Sequence, residues 1–238
     1  LEYKIKIKKH AMFGFSGLKF VSVEFAKVLT IKPDAEAGET PEDVAAEIGE
    51  LPEEVLTELP DEEIASVPPE AVAGASQTLK AKYTLSIIFN GQMPTVEMMP
   101  TGWIIVANGK IKPVVADLSG GLLANIKIEQ LKQLDSSVMG ELSSEQLGQM
   151  NGEALCQLDD ESLGAIPDET VANLSDEAMG KIIFSVDTGK ANGNFFKKFK
   201  KPGWNIQFVG GQISVDLAPS LVFALPIQTM GVQIAWIS

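Results

Sequence analysis

Residues 134–181 read LDSSVMGE, LSSEQLGQ, MNGEALCQ, LDDESLGA, IPDETVAN, LSDEAMGK, which is six consecutive units of eight residues. A second block, residues 51–74, reads LPEEVLTE, LPDEEIAS, VPPEAVAG. Positions 1 and 6 are apolar in all nine units, position 6 being Leu56, Ile64, Val72, Met139, Leu147, Leu155, Leu163, Val171 and Met179. Position 7 is always small, position 4 is Glu in eight of the nine, and position 2 is Pro, Asp, Ser or Asn throughout.

Each position has a physical reading. Asp, Ser and Asn at position 2 are helix N-cap types, and Pro suits the first helical position. Glu two residues later meets the positive end of the helix dipole. A continuous helix is excluded: eight residues at 3.6 per turn rotate the apolar stripe by about 80° per unit, and Pro52, Pro60, Pro68 and Pro167 interrupt it. The pattern predicts short helical turns joined by kinks and coiled into a superhelix. Small residues at position 7, including Gly140, Gly148, Cys156, Gly164 and Gly180, are expected where neighbouring turns approach. At that position Cys156, the sole cysteine, reads as a packed structural thiol.

The octads, LPDEEIASVPPEAVAG at 59–74 and the run at 134–181 above all, resemble the short-helix repeats of the mesothelin, otoancorin and stereocilin family of animal cell-surface and extracellular-matrix proteins. The resemblance covers about a third of the chain. It implies superhelical packing and an extracellular interaction role.

Outside the octads the period switches to two. Residues 1–8 place Leu1, Tyr3, Ile5 and Ile7 on one face and Glu2, Lys4, Lys6 and Lys8 on the other. Residues 79–89 alternate as cleanly, and such alternation predicts half-buried antiparallel strands. Hairpin turns are expected at Asn90-Gly91, Asn108-Gly109 and Gly210-Gly211. Further strands are expected near 18–27, 103–107, 111–116, 122–128, 182–186, 204–209, 212–217, 221–225 and 232–237. The predicted fold is therefore α+β. An antiparallel β-sandwich or barrel body (1–38, 76–128 and 182–238) carries two inserted superhelical octad blocks (39–75 and 129–181). Two β-plus-octad units side by side are the alternative topology.

Charge is segregated along the chain. Of 32 acidic residues, 12 lie in 39–74 and 12 in 129–181, where only two of the 19 lysines fall. The octad blocks together are thus −22 (2 − 24) and the remainder +9 (17 − 8), for the net −13. Either the acidic faces are simply solvated, or the opposite charges steer head-to-tail contact between copies, which makes a filament when it does not close. The strand Tyr3, Lys4, Ile5, Lys6, Ile7, Lys8 is a candidate assembly strand for a neighbour's sheet edge, or else an edge that Lys protects from pairing. The segment 194–204 carries Phe195, Phe196, Lys197, Lys198, Phe199, Lys200, Lys201 and Trp204. It either lies on an anionic membrane or glycan surface or caps the core with its aromatics. Asn173-Leu174-Ser175 is an N-glycosylation acceptor pattern.

Several functional classes lose support. All 19 basic residues are Lys, and with a net charge of −13 the absence of Arg argues against nucleic-acid binding. His10 is the only histidine, and no Walker A, HExxH, CxxC or EF-hand pattern occurs, so no catalytic residue, cofactor or metal site is expected. A mature chain starting at Leu1 has usually lost a leader, which favours secretion or the cell surface; a cut at a domain edge is the alternative. The expected role is an exported, non-enzymatic structural or adhesive subunit that self-associates. A carrier holding an apolar ligand in the β body and a membrane or glycan binder acting through 194–204 are the rivals.

Overall fold

In the computed structural model each octad closes its own helix. The structure describes Thr40, Asp43, Ala46 and Ile48, then residues 51–209 and 212–218. The elements in chain order are α1 (Glu53–Glu58), α2 (Asp61–Ile64), α3 (Pro69–Ala73), α4 (Gln77–Phe89), β1 (Ile104–Ile105), β2 (Ile111–Lys112), α5 (Gly120–Asn125), α6 (Ile128–Leu131), α7 (Ser137–Glu141), α8 (Ser144–Gln149), α9 (Gly152–Leu155), α10 (Asp160–Ala165), α11 (Asp168–Ala172), α12 (Asp176–Phe184), α13 (Phe195–Lys198), β3 (Trp204–Val209) and β4 (Gln212–Leu217). The fold class is α+β, and among the described residues the strands form two two-stranded antiparallel sheets, with neither sandwich nor barrel closure.

The octad code works as local chemistry dictates. Ser143, Asn151, Asp159 and Ser175, all at position 2, accept hydrogen bonds from the backbone N–H of Gln146, Ala154, Ser162 and Ala178. Gln146 returns the bond to the Ser143 N–H, completing a capping box. Pro52, Pro60, Pro68 and Pro167 sit at the N-cap itself, one residue before the expected first helical position, with ψ near 140°. Their carbonyls still accept the first helical bonds. Position 6 is at most 3% exposed in all nine octads. Burying the two apolar positions is worth up to roughly 3–6 kcal/mol per octad, whereas an isolated helix of this length does not survive nucleation. Stacking therefore makes the helices.

The stacking has a simple rule. α7 packs on α10, α8 on α11 and α9 on α12, so each octad meets the third one after it. An additional contact of α8 with α12 makes the turn slightly longer than three octads. The array also starts earlier than its sequence signature. Residues 118–125 and 126–133, expected to be strand over 122–128, form α5 and α6, which take the same places against α8 and α9. Each is a degenerate octad: Leu118 and Leu123, then Ile126 and Leu131, are the buried positions 1 and 6, and Ser119 caps α5. Eight octads thus run unbroken from 118 to 181. α1, from the first block, packs beneath α5.

Residues 79–89 are the largest departure from the sequence reading. They form α4, a 13-residue helix capped by Ser76, not a strand. Ala81, Leu85 and Ile88 enter the main core, Leu79, Tyr83 and Ile87 a second core under the first octad block, and Lys82 and Ser86 face Asp61. A helix enclosed on every side has no 3.6-residue stripe, so its accidental alternation read as β. Asn90-Gly91 accordingly ends that helix, Gly91 at φ +74°, and is not a hairpin. Residues 182–184, also expected as strand, extend α12. Residues 76–128 therefore hold a helix, a hairpin, one octad and the start of a second in place of a β layer.

Two hairpins follow the expectation. β1 pairs with β2 around Asn108-Gly109, with Gly109 at φ +79°, but over two residues only. β3 pairs with β4, Val209 opposite Gln212, flanking 210–211. The expected strands at 1–8, 18–27, 221–225 and 232–237 lie outside the described residues.

Cys156 is fully buried, its Sγ facing the Glu153 and Asp187 carbonyls, and burial pushes its thiol above the ordinary range. In the native chain it should react with a soluble disulfide reagent at least ~100-fold more slowly than in denaturant. Equal rates would show that the octads open readily around it.

Candidate functional site

Position 3, silent in the sequence reading, decides what lies on top of each octad. In the octads beginning at 134, 142 and 150 it is Ser136, Ser144 and Gly152. Ser136 Oγ donates to Glu161 Oε1 at 2.6 Å, Ser144 Oγ donates to the Thr170 carbonyl at 2.9 Å, and a Cβ on Gly152 would stand 1.8 Å from the Ile182 oxygen. Small residues stand there because the next superhelical turn rests directly on them. The expected role of position 7 holds at Gly140 and Gly148, whose Cβ would meet Ala165 O at 3.0 Å and Ala178 Cβ at 2.8 Å. It does not hold at Gly164, which faces open space.

In the last three octads position 3 is Asp160, Asp168 and Asp176, and no octad follows above them. Residues 192–204 come next to them, leaving the Asp168 side chain 92% exposed. Asn192 and Asn194 each donate to Asp160 Oδ1 at 2.9 Å. Lys198 pairs with Asp168 at 2.7 Å, and Lys201 pairs with Asp176 at 3.1 Å and donates to the Leu174 carbonyl. Trp204 Nε1 donates to Asp176 Oδ1 at 3.0 Å. These bonds hold all three carboxyls below the usual carboxylate range, with Asn194, Lys198 and Trp204 the leading causes respectively.

Phe195, Phe196, Phe199 and Trp204 are buried, with Phe195 and Phe199 stacked at 4.4 Å and Phe196 stacked on Phe208 at 5.1 Å. The apolar base required for binding a membrane or glycan surface is thus inside the core. Lys197 and Lys200 remain exposed, Lys197 donating to Asn194. The segment closes the end of the octad array.

The fourth position-3 aspartate, Asp61, lies where the first block meets the long array. It is 4% exposed and takes Lys82 Nζ at 2.8 Å, Ser86 Oγ at 2.8 Å and Lys127 Nζ at 3.0 Å. Burial acts to raise its pKa, but Lys82, Lys127 and Ser86 together outweigh burial and hold the carboxyl low. Lys127 also stands 3.6 Å from the Phe89 ring centroid. Beside this cluster is a cleft with room for about one water molecule, with Thr57, Asn125 and Gln130 in its walls.

Position 4 behaves differently. Glu129, Glu153 and Glu177 occupy it in three stacked octads, Glu145 and Glu169 in two more, and all five are exposed. None makes an ion pair among the described residues. Lys190, paired with Asp187 at 3.2 Å, lies in the field of Glu153 and Glu129. Among the described side chains the octad carboxylates thus divide into position-3 aspartates that take Lys, Asn, Ser or Trp donors within the molecule and position-4 glutamates that are exposed, Glu161 among them also accepting from Ser136.

Asn173 is exposed at the C-cap of α11, and the Ser175 hydroxyl of its acceptor pattern caps α12. The candidate strand Tyr3–Lys8 lies outside the described residues. Among the described residues no group of three or more His, Cys, Asp or Glu is placed to hold a metal ion, and no helix is long and apolar enough to cross a membrane. No protein-family model, curated protein or solved structure matches the chain.

Proposed function

We propose that the chain is an exported, non-catalytic structural subunit that associates with other copies of itself. In this reading the lysines of residues 1–9 of one copy meet the outward octad glutamates of the next. One observation supports it above the others. Lysines from segments outside the octads already seat on octad carboxylates in cis, as in Lys112–Glu141 at 2.9 Å, Lys198–Asp168 and Lys201–Asp176, while Glu129, Glu145, Glu153, Glu169 and Glu177 at position 4 are exposed. The octads' likeness to mesothelin-type repeats agrees with an extracellular interaction role.

The cis pairs also narrow the proposal. Part of the charge complementarity seen in the sequence is spent inside the molecule, so intermolecular contact falls to the remaining lysines and to position 4. Electron microscopy of the purified protein at about 0.01 M and about 1 M salt, where the screening length falls from roughly 30 Å to 3 Å, tests this. Ordered polymers are expected at low salt, dispersing at high salt and absent from the Lys4→Glu/Lys6→Glu/Lys8→Glu variant. Monomers in both conditions, or polymers indifferent to the variant, would sink the proposal.

A further inference from the structure

We propose that residues 192–204 are an end cap that prevents the octad array from stacking end to end on a second copy. A solenoid buries its core by laying each repeat on its neighbour, so its last repeat presents an apolar, self-complementary surface unless a segment with a polar outer face covers it. Here the change from Ser136, Ser144 and Gly152 to Asp160, Asp168 and Asp176 marks in sequence where stacking stops. The first three lie directly under another octad turn; the last three carry carboxylates that donors of the following segment reach, the Asp168 side chain staying 92% exposed. The cap answers each with a donor, Asn192 and Asn194, Lys198, then Lys201 and Trp204. Phe195, Phe196 and Phe199 meanwhile complete the apolar interior, in one cluster with Leu158, Ile166 and Leu174. The occupant excluded by the cap is the same end of a second copy, because the other end of the array already has α1 packed beneath α5.

This association differs from the charge-steered one proposed above. End stacking is apolar, so salt does not disperse it.

The test uses the full chain in two variants. Phe195→Ser/Phe199→Ser removes the apolar seat, and Lys198→Glu/Lys201→Glu sets like charge against Asp168 and Asp176 while leaving the aromatics in place. Amide exchange across 195–204 reports seating, exchange across 134–165 confirms that the octads stay folded, and sedimentation at high salt reports association. The expected result is exchange in the cap raised by roughly 100-fold or more in the Phe variant, smaller in the Lys variant, with concentration-dependent multimers in both. Two results would overturn the proposal: a cap that stays protected in both variants, or a released cap on a chain that remains monomeric at every concentration.

Discussion

Asp61→Ala is expected to lower the folding free energy by about 3–5 kcal/mol in urea denaturation, because it leaves a buried ammonium without its counter-charge. Lys82 Nζ has Asp61 Oδ1 as its partner at 2.8 Å, and its side chain is 6% exposed. Ser86 Oγ loses its acceptor in the same step. Replacing both charges, as Asp61→Leu with Lys82→Met, should recover most of the loss, since an apolar pair of similar volume avoids the desolvation cost. The pair would then differ from the wild type in uniqueness of packing more than in stability. Because the Asp61 carboxyl is held below its ordinary value of 3.8, its contribution is fully present above that pH and fades as pH falls through the lower folded value. The gap between wild type and Asp61→Ala should therefore close in acid. A single variant within ~0.5 kcal/mol of wild type would show that the junction tolerates an unpaired lysine.

Gly152→Ala and Gly164→Ala are expected to move stability in opposite directions, although both glycines belong to the octad repeat. An alanine Cβ at 152 stands 1.8 Å from the Ile182 carbonyl oxygen and 2.9 Å from Ser185 Oγ, so α9 and α12 must part. The Gly152 N–H also donates to Ser185 Oγ at 2.6 Å, a bond that such a shift breaks. A loss of about 3 kcal/mol or more follows from overpacking against backbone that cannot turn aside. At 164 the added methyl meets nothing within 4 Å on a helical residue, and lower entropy of the unfolded chain should give a gain of about 0.4–1 kcal/mol. Denaturation of the two variants side by side checks both, and a neutral Gly152→Ala would mean that the stacking contact is not tight.

The octads were legible because every requirement of a short stacked helix is local. A cap at position 2, a carboxylate in the first turn and apolar residues at 1 and 6 recur whatever the neighbours do. The two octads at 118–133 escaped notice because Gly121 stands at position 4 and Lys132 at position 7, where Glu and a small residue were the more conspicuous marks. Ser119, Leu118, Leu123, Ile126 and Leu131 were the usable signal. Helix α4 was illegible for a deeper reason. With Leu79, Tyr83 and Ile87 in one core, Ala81, Leu85 and Ile88 in another, and Lys82 on Asp61, the polar residues Lys82, Thr84 and Ser86 are as buried as their apolar neighbours, so period carries no information there.

Charge counting found the acidic blocks but not their division of labour. Asp at position 3 and Glu at position 4 are alike in a sum, and only the folded arrangement reveals that the first takes donors from other segments of the molecule. The segment 194–204 shows the same limit. Its Phe and Lys fit both an adhesive patch and a core-capping loop, the second somewhat better, and the sequence does not show the aspartates with which its lysines pair.

Because about three octads complete one turn, the protein has a quantum of length. Insertion of one eight-residue unit would rotate everything downstream by roughly a third of a revolution. Lys198 and Lys201 would then sit over the wrong columns. Three units together, 24 residues (3 × 8), restore the phase, so homologous arrays of different size should differ by whole turns.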